Sequence, residues 1–271
     1  MEKNKVLLEI DGRVAIITIN RPEKANAIDD EVWQRLGDVI KEIESDGSIR
    51  TIILTGAGKR AFSAGLDFSQ DNSLVRKLQG ESPAVIQQAM YEMIRNIQKI
   101  YSLFEKIPVP VIAAINGAAI GADMELTLVC DIRLASENAI FSMPEVKLGL
   151  IPDLGGTQRL PRIVGIGKAK ELIFTGKRIE ALEAKEIGLV NTVFPASKLC
   201  EEAKLLAEEI AANGPLAVRA SKKAMNLSMD SSVEDGLKFE AHQNSICLLS
   251  KDVIEGFSKY PFKKKPDFKG I

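Results

Sequence analysis

Two short apolar runs that each lead into a glycine turn constrain the fold of this chain more than any other feature. The first, "TIILTG" (Thr51–Gly56), is followed by "FSAGLDF", and the second, "VPVIAAING" (109–117), is followed by "AAIGADMEL". A short, unbroken apolar run bounded by turn residues is typical of a fully buried β-strand. Glycine beside small residues lets the main chain approach a ligand closely. The pattern therefore predicts buried strands with a ligand-facing turn after each of them.

The remaining patterns predict an α/β protein that ends in helices. "VLLEI" and "VAIITI" flank an Asp-Gly pair, which is a hairpin signal, and "EVWQRLGDVIKEIESD" has helical spacing. From residue 156 onward the spacing is helical except for "LVNTVF". No linker rich in Pro, Gly or Ser separates the two halves. We therefore predict one domain with a core over residues 1–195, which contains the active site, and a helical region over residues 196–271.

Composition excludes several classes of partner. The chain has 271 residues and a formal net charge of -1, so no bulk charge favours nucleic acid or an anionic membrane. No apolar run approaches the roughly 20 residues that cross a bilayer, and the first residues lack the apolar core of a signal peptide. The single histidine and the scattered cysteines (Cys130, Cys200 and Cys247) indicate neither a metal site nor a disulfide framework. We expect a reduced, cytoplasmic compartment and no metal.

The two glycine turns offer main-chain donors. The amides of Leu66 and Ala122 are expected to be free, and Ala122 is expected to begin a helix, where unpaired N–H groups favour negative charge. Two such donors aimed at one point form an oxyanion hole. Loss of one donor of this kind typically lowers the rate about 100- to 1000-fold.

Two acids follow the second turn. Glu125 comes three positions after Ala122, and Glu145 comes twenty positions after Glu125, behind the stiff Pro144. Two carboxylates near one substrate can divide acid and base work, because the charge of the first raises the pKa of the second. Taken singly, Glu125 also fits a helix-terminal acid and Glu145 a surface acid.

Together, these motifs resemble the crotonase (enoyl-CoA hydratase/isomerase) superfamily. The resemblance begins at "NRPEKANAID", continues through "GKRAFSAGLDF" and a long block over residues 110–165, and reaches "EALEAKEIGLVNTVFP". It implies a crotonase-like spiral of ββα repeats with a C-terminal helical trimerisation region, assembled as a homotrimer or a homohexamer. It also implies an acyl-CoA thioester substrate, with coenzyme A as part of the substrate and no separate cofactor.

The resemblance assigns roles to the residues already singled out. Leu66 and Ala122 match the oxyanion-hole positions, although Ala122 stands where relatives usually have glycine. Glu145 matches the acid that delivers a proton to Cα, and Glu125 matches the acid that helps to activate the water attacking Cβ. The implied reaction is reversible addition of water to a trans-2-enoyl-CoA, to which acid–base help contributes roughly 100- to 10,000-fold.

A second reaction stays open because of Asp153, in "GLIPDLGG". Dienoyl-CoA isomerases use an aspartate there to shuttle a proton, and the long helical stretch over residues 67–116 resembles those enzymes too. They tend, however, to carry aspartate where Glu125 stands. Three acids so close would titrate as a coupled set. We favour hydration, with an isomerase that uses Glu145 and Asp153 as the alternative, and a non-catalytic or RNA-binding relative as a third.

Further positions match the segments that hold the substrate in relatives. Some of them belong to the turns and to the segment before the first helix, and the last two reach the nucleotide of a neighbouring subunit: Lys24, Ala25, Ala27, Arg60, Ala64, Gly65, Asp67, Gly121, Tyr260 and Lys263. The basic tail "FKKK" is expected either to pair with the phosphates of coenzyme A or to be plainly solvated. Segment 71–83 is expected to be either a lid over the acyl end or a surface loop.

Overall fold

The computed structural model describes residues 4–67 and 82–271. All structural statements below refer to these two ranges. The predicted lid, apart from its last two residues, lies outside them, so that prediction stands as it is.

Ten strands occur in the described ranges: β1 (Val6–Asp11), β2 (Val14–Ile19), β3 (Thr51–Gly56), β4 (Ala61–Ser63), β5 (Val111–Ile115), β6 (Ala118–Ile120), β7 (Ile132–Ser136), β8 (Ile140–Ser142), β9 (Ile179–Glu180) and β10 (Thr192–Phe194). The α-helices in the same ranges are α1 (Asp30–Ser45), α2 (Pro83–Lys106), α3 (Ala122–Leu128), α4 (Gly156–Val164), α5 (Ile166–Thr175), α6 (Ala181–Glu186), α7 (Leu199–Ala211), α8 (Pro215–Leu227), α9 (Val233–Leu248) and α10 (Lys251–Lys259). Short 3₁₀ helices cover Pro22–Lys24, Glu145–Leu148 and Tyr260–Phe262.

The strands form two sheets, and from β3 to β8 successive strands alternate between them. The first sheet has the order β1-β2-β3-β5-β7-β10, and the second has the order β4-β6-β8-β9. The β1–β2 hairpin is antiparallel, whereas β2, β3, β5, β7 and β10 run parallel. Each repeat thus places one strand in each sheet before the chain advances. The prediction of an α/β spiral of ββα repeats is confirmed. The neighbouring strands β7 and β8 belong to different sheets.

The change of sheet requires close contact between main chains. A Cβ added to Gly117, between β5 and β6, would lie 2.5 Å from the carbonyl oxygen of Arg60. No side chain fits at that distance, so glycine is needed for β6 to pass beside the start of β4. Gly56 and Gly117 therefore lie where the chain steps to the second sheet, and the predicted turns at Gly65 and Gly121 follow the second-sheet strands β4 and β6.

Alternate residues of the first sheet face two different apolar clusters. Ile52 and Leu54 pack in the main core, whereas Ile53 packs with Leu199 and Ala203 of α7 on the opposite face. Burial on both faces explains why the strands read as continuous apolar runs in the sequence. The helical region after residue 195 therefore begins by covering a face of the spiral, and the domain boundary predicted there stays a prediction.

The C-terminal end folds back on its own chain. The carboxylate of Asp252, at the start of α10, accepts hydrogen bonds from the main-chain N–H groups of Lys269 (2.7 Å) and Gly270 (2.8 Å). The amide of Lys251 donates to the carbonyl of Ile271 at 2.8 Å. The tail is thus ordered by contacts within the chain.

None of the helices within the two described ranges is both long enough and apolar enough to cross a membrane.

The buried ion pair between Lys222 and Asp131 gives the first testable prediction. The Lys222 ammonium donates to Asp131 (2.7 Å) and to the carbonyls of Val109 (3.0 Å) and Phe104 (3.2 Å), which joins α8 to the spiral. We expect Lys222→Ala to lower the free energy of unfolding by about 3–5 kcal/mol, because it leaves a largely buried carboxylate without its cation. Urea denaturation measures the change.

Lys238→Ala is the matched control, because Lys238 pairs with Glu234 on an exposed surface. It should change the free energy of unfolding by less than about 1 kcal/mol. Equal effects of the two substitutions would contradict the role given to the buried pair.

Candidate active site

Glu125 is a buried acid at the centre of the site. It lies on α3 and is 1% exposed. Its Oε1 accepts hydrogen bonds from the main-chain N–H groups of Leu154 (2.9 Å) and Gly156 (2.6 Å), and its Oε2 accepts none from the described residues. These bonds fix one oxygen of the carboxyl group on the chain before α4 and leave the other oxygen available.

Burial dominates the acidity of Glu125. It raises the pKa of Glu125 to about 8; the hydrogen bond from Gly156 opposes this rise, and the charges of Glu145 and Asp153 add to it. The carboxyl group is thus able to gain or lose a proton near neutral pH, as a general acid or base requires.

Glu145 lies close enough for its charge to raise the pKa of Glu125. It begins the 3₁₀ helix after Pro144, and its Oε1 lies 2.9 Å from the point where a Cβ of Gly121 would stand. Gly121 has φ +58°, a conformation that favours glycine, and the space above it is taken by this carboxyl group. The Oε2 of Glu145 is buried and has no hydrogen-bond partner among the described residues. An unpartnered buried oxygen is suited to a ligand.

Asp153 completes a cluster of three acids. It is half-buried, and Gln98 of α2 holds its main-chain carbonyl with a hydrogen bond. Burial is the main cause that raises the pKa of Asp153 and of Glu145, and the charge of Asp153 raises the pKa of Glu145 further. The three carboxyl groups therefore interact electrostatically, as the sequence predicts for acids placed so close.

The two predicted main-chain donors lie on adjoining loops. Leu66 sits beside Ile28, whose N–H donates to Gly65 O and whose carbonyl accepts from Asp67 N, both at 2.9 Å. The N–H of Leu66 itself, like that of Ala122 at the start of α3, has no partner among the described residues. Gly65, the residue before Leu66, donates to Asp123, the residue after Ala122, at 2.6 Å. The structure therefore leaves two unpaired amides next to a direct contact between their loops; their use as an oxyanion hole stays a prediction.

This geometry can be set beside known proteins. A sequence model that describes enoyl-CoA hydratase/isomerase matches residues 9–271. The chain belongs to the enoyl-CoA hydratase/isomerase family.

Individual members of the enoyl-CoA hydratase/isomerase family match over nearly their whole length. The chain is 41% identical to a short-chain-enoyl-CoA hydratase of Clostridium acetobutylicum, covering 98% of this chain and 97% of that one. It is 37% identical to a crotonyl-CoA hydratase of Syntrophomonas wolfei, with 99% of each covered. The crystal structure of an enoyl-CoA hydratase from Bacillus anthracis superimposes with a TM-score of 0.90 at 38% identity, over 99% of this chain and 100% of that one. The chain is thus an enzyme of this family.

Most of the predicted substrate-binding positions come together in the structure. The segment that holds Lys24, Ala25 and Ala27 runs beside the loop over residues 64–67, because Ala64 N donates to Ala25 O at 3.1 Å. Asp67 is buried, and its carboxylate contacts Arg21 at 2.9 Å and Lys24 at 3.4 Å. The side chain of Asp67 therefore has protein partners, which suits a supporting role for Leu66 more than direct contact with a substrate.

Arg60 and the C-terminal pair differ from that group. Arg60 is exposed, and its carbonyl lies against Gly117. Tyr260 and Lys263 are exposed and line a groove of about 1440 Å³ with residues such as Leu205 and Phe257, and none of the three acids lines it. Within one chain, these two residues and the acid cluster belong to separate places.

Sequence reasoning passed over Asp123, which lies two residues before Glu125. Asp123 is fully buried and contacts both Ser63 and Gly65. Sequence reasoning also missed Tyr101 of α2, whose hydroxyl donates to the carbonyl of Ala122 at 3.0 Å. The signal for Asp123 was present, since "GADMEL" puts two acids in the apolar stretch.

The raised pKa of Glu125 predicts a dependence of stability on pH. The folded form keeps its proton up to about pH 8, whereas the unfolded form loses it near its ordinary value of 4.5. Unfolding therefore releases a proton within this window, so the free energy of unfolding falls as pH rises, by at most about 1.4 kcal/mol per pH unit for this group. We expect Glu125→Gln to flatten the slope, most clearly between about pH 5.5 and pH 7, where the folded form is protonated and the unfolded form is not, as followed by urea denaturation.

Glu171→Gln is the matched control. Exposed Glu171 has its pKa lowered to about 2, chiefly by hydrogen bonds from Lys177 and Lys168. The contribution of Glu171 to stability is present above about pH 4.5 and is lost as pH falls towards 2. The Glu171→Gln variant should therefore keep the wild-type slope of stability against pH above about pH 5. An unchanged slope in Glu125→Gln would contradict the assignment.

Proposed function

We propose that this enzyme is an enoyl-CoA hydratase that adds water reversibly to a trans-2-enoyl-CoA thioester. The observation that carries this proposal is that Glu125 and Glu145 interact electrostatically beside the turn at Gly121, and both acids have raised pKa values. Each also has one oxygen without a hydrogen-bond partner among the described residues. The named relatives, a short-chain-enoyl-CoA hydratase and a crotonyl-CoA hydratase, support the same reaction.

The main-chain amides supply the electrostatic part of the reaction. The thioester oxygen accepts hydrogen bonds from the N–H groups of Leu66 and Ala122, which are strongest when negative charge develops on that oxygen. The amides thereby stabilise the enolate formed when the oxygen of water bonds to Cβ.

The acids handle the two protons. In the reactive state Glu145 holds the shared proton and Glu125 is ionised, a state that gains population as pH rises towards the Glu125 pKa of about 8. Glu125 accepts a proton from the attacking water, and Glu145 delivers its proton to Cα as the enolate collapses. The product gains one hydrogen and one hydroxyl group, and the proton on Glu125 then returns to Glu145 to restore the starting state. The reaction needs one proton on the acid cluster at the start. The raised pKa values of the three acids favour this, because they disfavour the state in which all three carboxyl groups are ionised.

Coenzyme A enters this proposal as part of the substrate, and we propose no separate cofactor. Lys24 and Arg60 are both exposed and lie on the segments on either side of Leu66 in the fold or the chain. We propose that their charges pair with the phosphates of coenzyme A. Since Tyr260 and Lys263 line a separate groove of the same chain, they reach a nucleotide only across a subunit boundary. We further propose a cytoplasmic location, because the cysteines are scattered and unpaired.

Asp153 supports a second candidate, a double-bond shift of the dienoyl-CoA isomerase kind. Its half-buried carboxyl group acts electrostatically on both glutamates, so a proton removed by one acid can be returned by another without water. Hydration is favoured because Glu125, and not an aspartate, stands beside Glu145.

Activity assays separate the two candidates. We expect purified protein to hydrate crotonyl-CoA, which is followed by loss of absorbance of the conjugated thioester. Glu145→Gln should lower kcat by about 100- to 10,000-fold, because it removes the proton donor to Cα. Glu180→Gln, an exposed acid on β9, is the matched control and should keep the wild-type kcat.

The outcome with a 3,5-dienoyl-CoA decides between the reactions. Turnover of this substrate alone, abolished by Asp153→Asn, would replace hydration by isomerisation. A Glu145→Gln variant with a near-native rate would contradict the catalytic assignment itself.

We also propose that the chain assembles into a homotrimer or a homohexamer. Helix α9 has no buried residue in the single chain, and α9 and the following segment expose large apolar side chains. These include Val233 (80% exposed), Leu237, Ile246, Leu249 (89% exposed), Ile254 and Phe257. So extended an apolar surface is typical of an interface.

Light scattering after size-exclusion chromatography tests the assembly. We expect the wild-type protein to elute as a trimer or a hexamer, and Leu249→Asp to shift it towards a smaller species. Ile10→Asp is the matched control, because Ile10 is exposed on β1 and belongs neither to α9 nor to the segment that follows it. A wild-type monomer at micromolar concentration would contradict the proposal.

A further inference from the structure

The side chain of Asp123 is the buried polar group at this site that the proposed reaction does not use. It is 0% exposed on α3, between Ala122 and Glu125. Its Oδ2 lies 2.5 Å from Ser63 Oγ and 2.6 Å from Gly65 N. Its Oδ1 is buried and has no hydrogen-bond partner among the described residues. An ionised carboxylate in such a place would be poorly solvated.

A count of protons around Ser63 indicates the state of Asp123. Ser63 Oγ lies 2.6 Å from the carbonyl oxygen of Asn26 and 2.5 Å from Asp123 Oδ2. A hydroxyl group has one proton to donate, and a carbonyl oxygen has none. If Ser63 donates to Asn26, the proton in the second contact comes from Asp123. One oxygen of a carboxylic acid can donate to Ser63 and still accept from Gly65.

We propose that neutral Asp123 is a positioning residue that holds the loop of Leu66 against the turn of Ala122. Its contacts join three segments: Asn26 belongs to the turn after the first 3₁₀ helix, Ser63 to the end of β4 with Gly65 in the loop after it, and Asp123 to α3. The main-chain N–H groups that flank this junction are those of Leu66 and Ala122. The proposal rests on the proposed function, because it assumes that these two amides bind one thioester oxygen.

The neutral state also matters for charge. An ionised Asp123 would place a negative charge one residue from Ala122, where it would oppose the charge that develops on the thioester oxygen. Burial raises the pKa of Asp123 to about 7, although hydrogen bonds from Ser63 and Gly65 lower it. Among the described residues, the titratable group that faces it is Tyr101 from α2, whose pKa is raised by burial and by the charge of Asp123. The rate should therefore decline as Asp123 ionises.

Two substitutions separate position from charge. In Asp123→Asn, the amide oxygen still accepts from Gly65, and the Ser63 hydroxyl turns from Asn26 to donate to the same oxygen, but the side chain no longer ionises. In Asp123→Ala, the junction is lost. For crotonyl-CoA hydration we expect Asp123→Ala to lower kcat about 10- to 100-fold with a smaller change in KM, because the displaced amides no longer converge. We expect Asp123→Asn to lose less activity and to keep its rate to higher pH than the wild type.

Infrared spectroscopy measures whether the Asp123 carboxyl group is protonated, and this measurement does not depend on enzyme activity. The wild-type minus Asp123→Asn difference spectrum should show the carbonyl stretch of a protonated carboxylic acid at about pH 5, with loss of that band by about pH 9. Asp38→Asn, on the exposed face of α1, is the matched control and should give neither the band nor a change in kcat. If Asp123→Ala does not fold, Ser63→Ala takes its place, with an expected severalfold loss of kcat.

The results distinguish the failure of each proposal. A wild-type protein that does not hydrate crotonyl-CoA would overturn the proposed function, while the infrared band still reports on Asp123. Absence of the band at about pH 5 would overturn the neutral state of Asp123. A wild-type kcat in Asp123→Ala, or in Ser63→Ala if the first does not fold, would overturn the positioning role.

Discussion

The site depends on close packing between main chains of successive turns of the spiral. Gly117 passes so near the carbonyl of Arg60 that no side chain fits between them, and Gly121 leaves the same kind of space for the carboxyl group of Glu145. Two loops that are far apart in sequence therefore adjoin, and each contributes one unpaired amide, from Leu66 or from Ala122. Larger side chains at the two glycines would separate these loops, so the packing that builds the fold also builds the site.

Burial then gives the acids their properties. Glu125, Glu145 and Asp123 lie where water is largely excluded, so each holds its proton at higher pH than an exposed acid does. Among the described residues, Glu125 and Glu145 each have one oxygen without a partner, and Asp123 is held through its Oδ2 by Ser63 and Gly65. The same physical effect thus prepares two acids for proton transfer and, in our proposal, keeps a third one neutral beside the amides.

The C-terminal helices have two different environments. Helix α7 packs on the first sheet, opposite the main core, and Lys222 of α8 is bound to Asp131 at the end of the spiral. Helix α9, in contrast, has no buried residue within the single chain. A region that is anchored at its start and apolar on its outer surface suits subunit assembly. In such an assembly Tyr260, which lines a groove apart from the acids of its own chain, would serve the site of a neighbouring subunit.

Much of the fold is encoded in local patterns. The apolar runs of β3 and β5, the Asp-Gly hairpin and the Asp29 cap of α1 all follow from side-chain burial and backbone preference over a few residues. The long block around Glu125 and Glu145 likewise identifies the family, because its motifs are local in sequence. The two-residue strand β9 was not predicted, since so short an element leaves no periodic pattern.

Other properties arise only when distant segments meet. The assignment of β7 and β8 to different sheets depends on pairing with strands elsewhere in the chain. The pKa of Glu125 depends on burial and on amides 29 and 31 positions away, and the role of Asp123 depends on Ser63 and Asn26. Residue order supplies the acids, the glycines and the strands. Desolvation and contacts between remote loops decide which acid keeps its proton, and those follow from the folded arrangement.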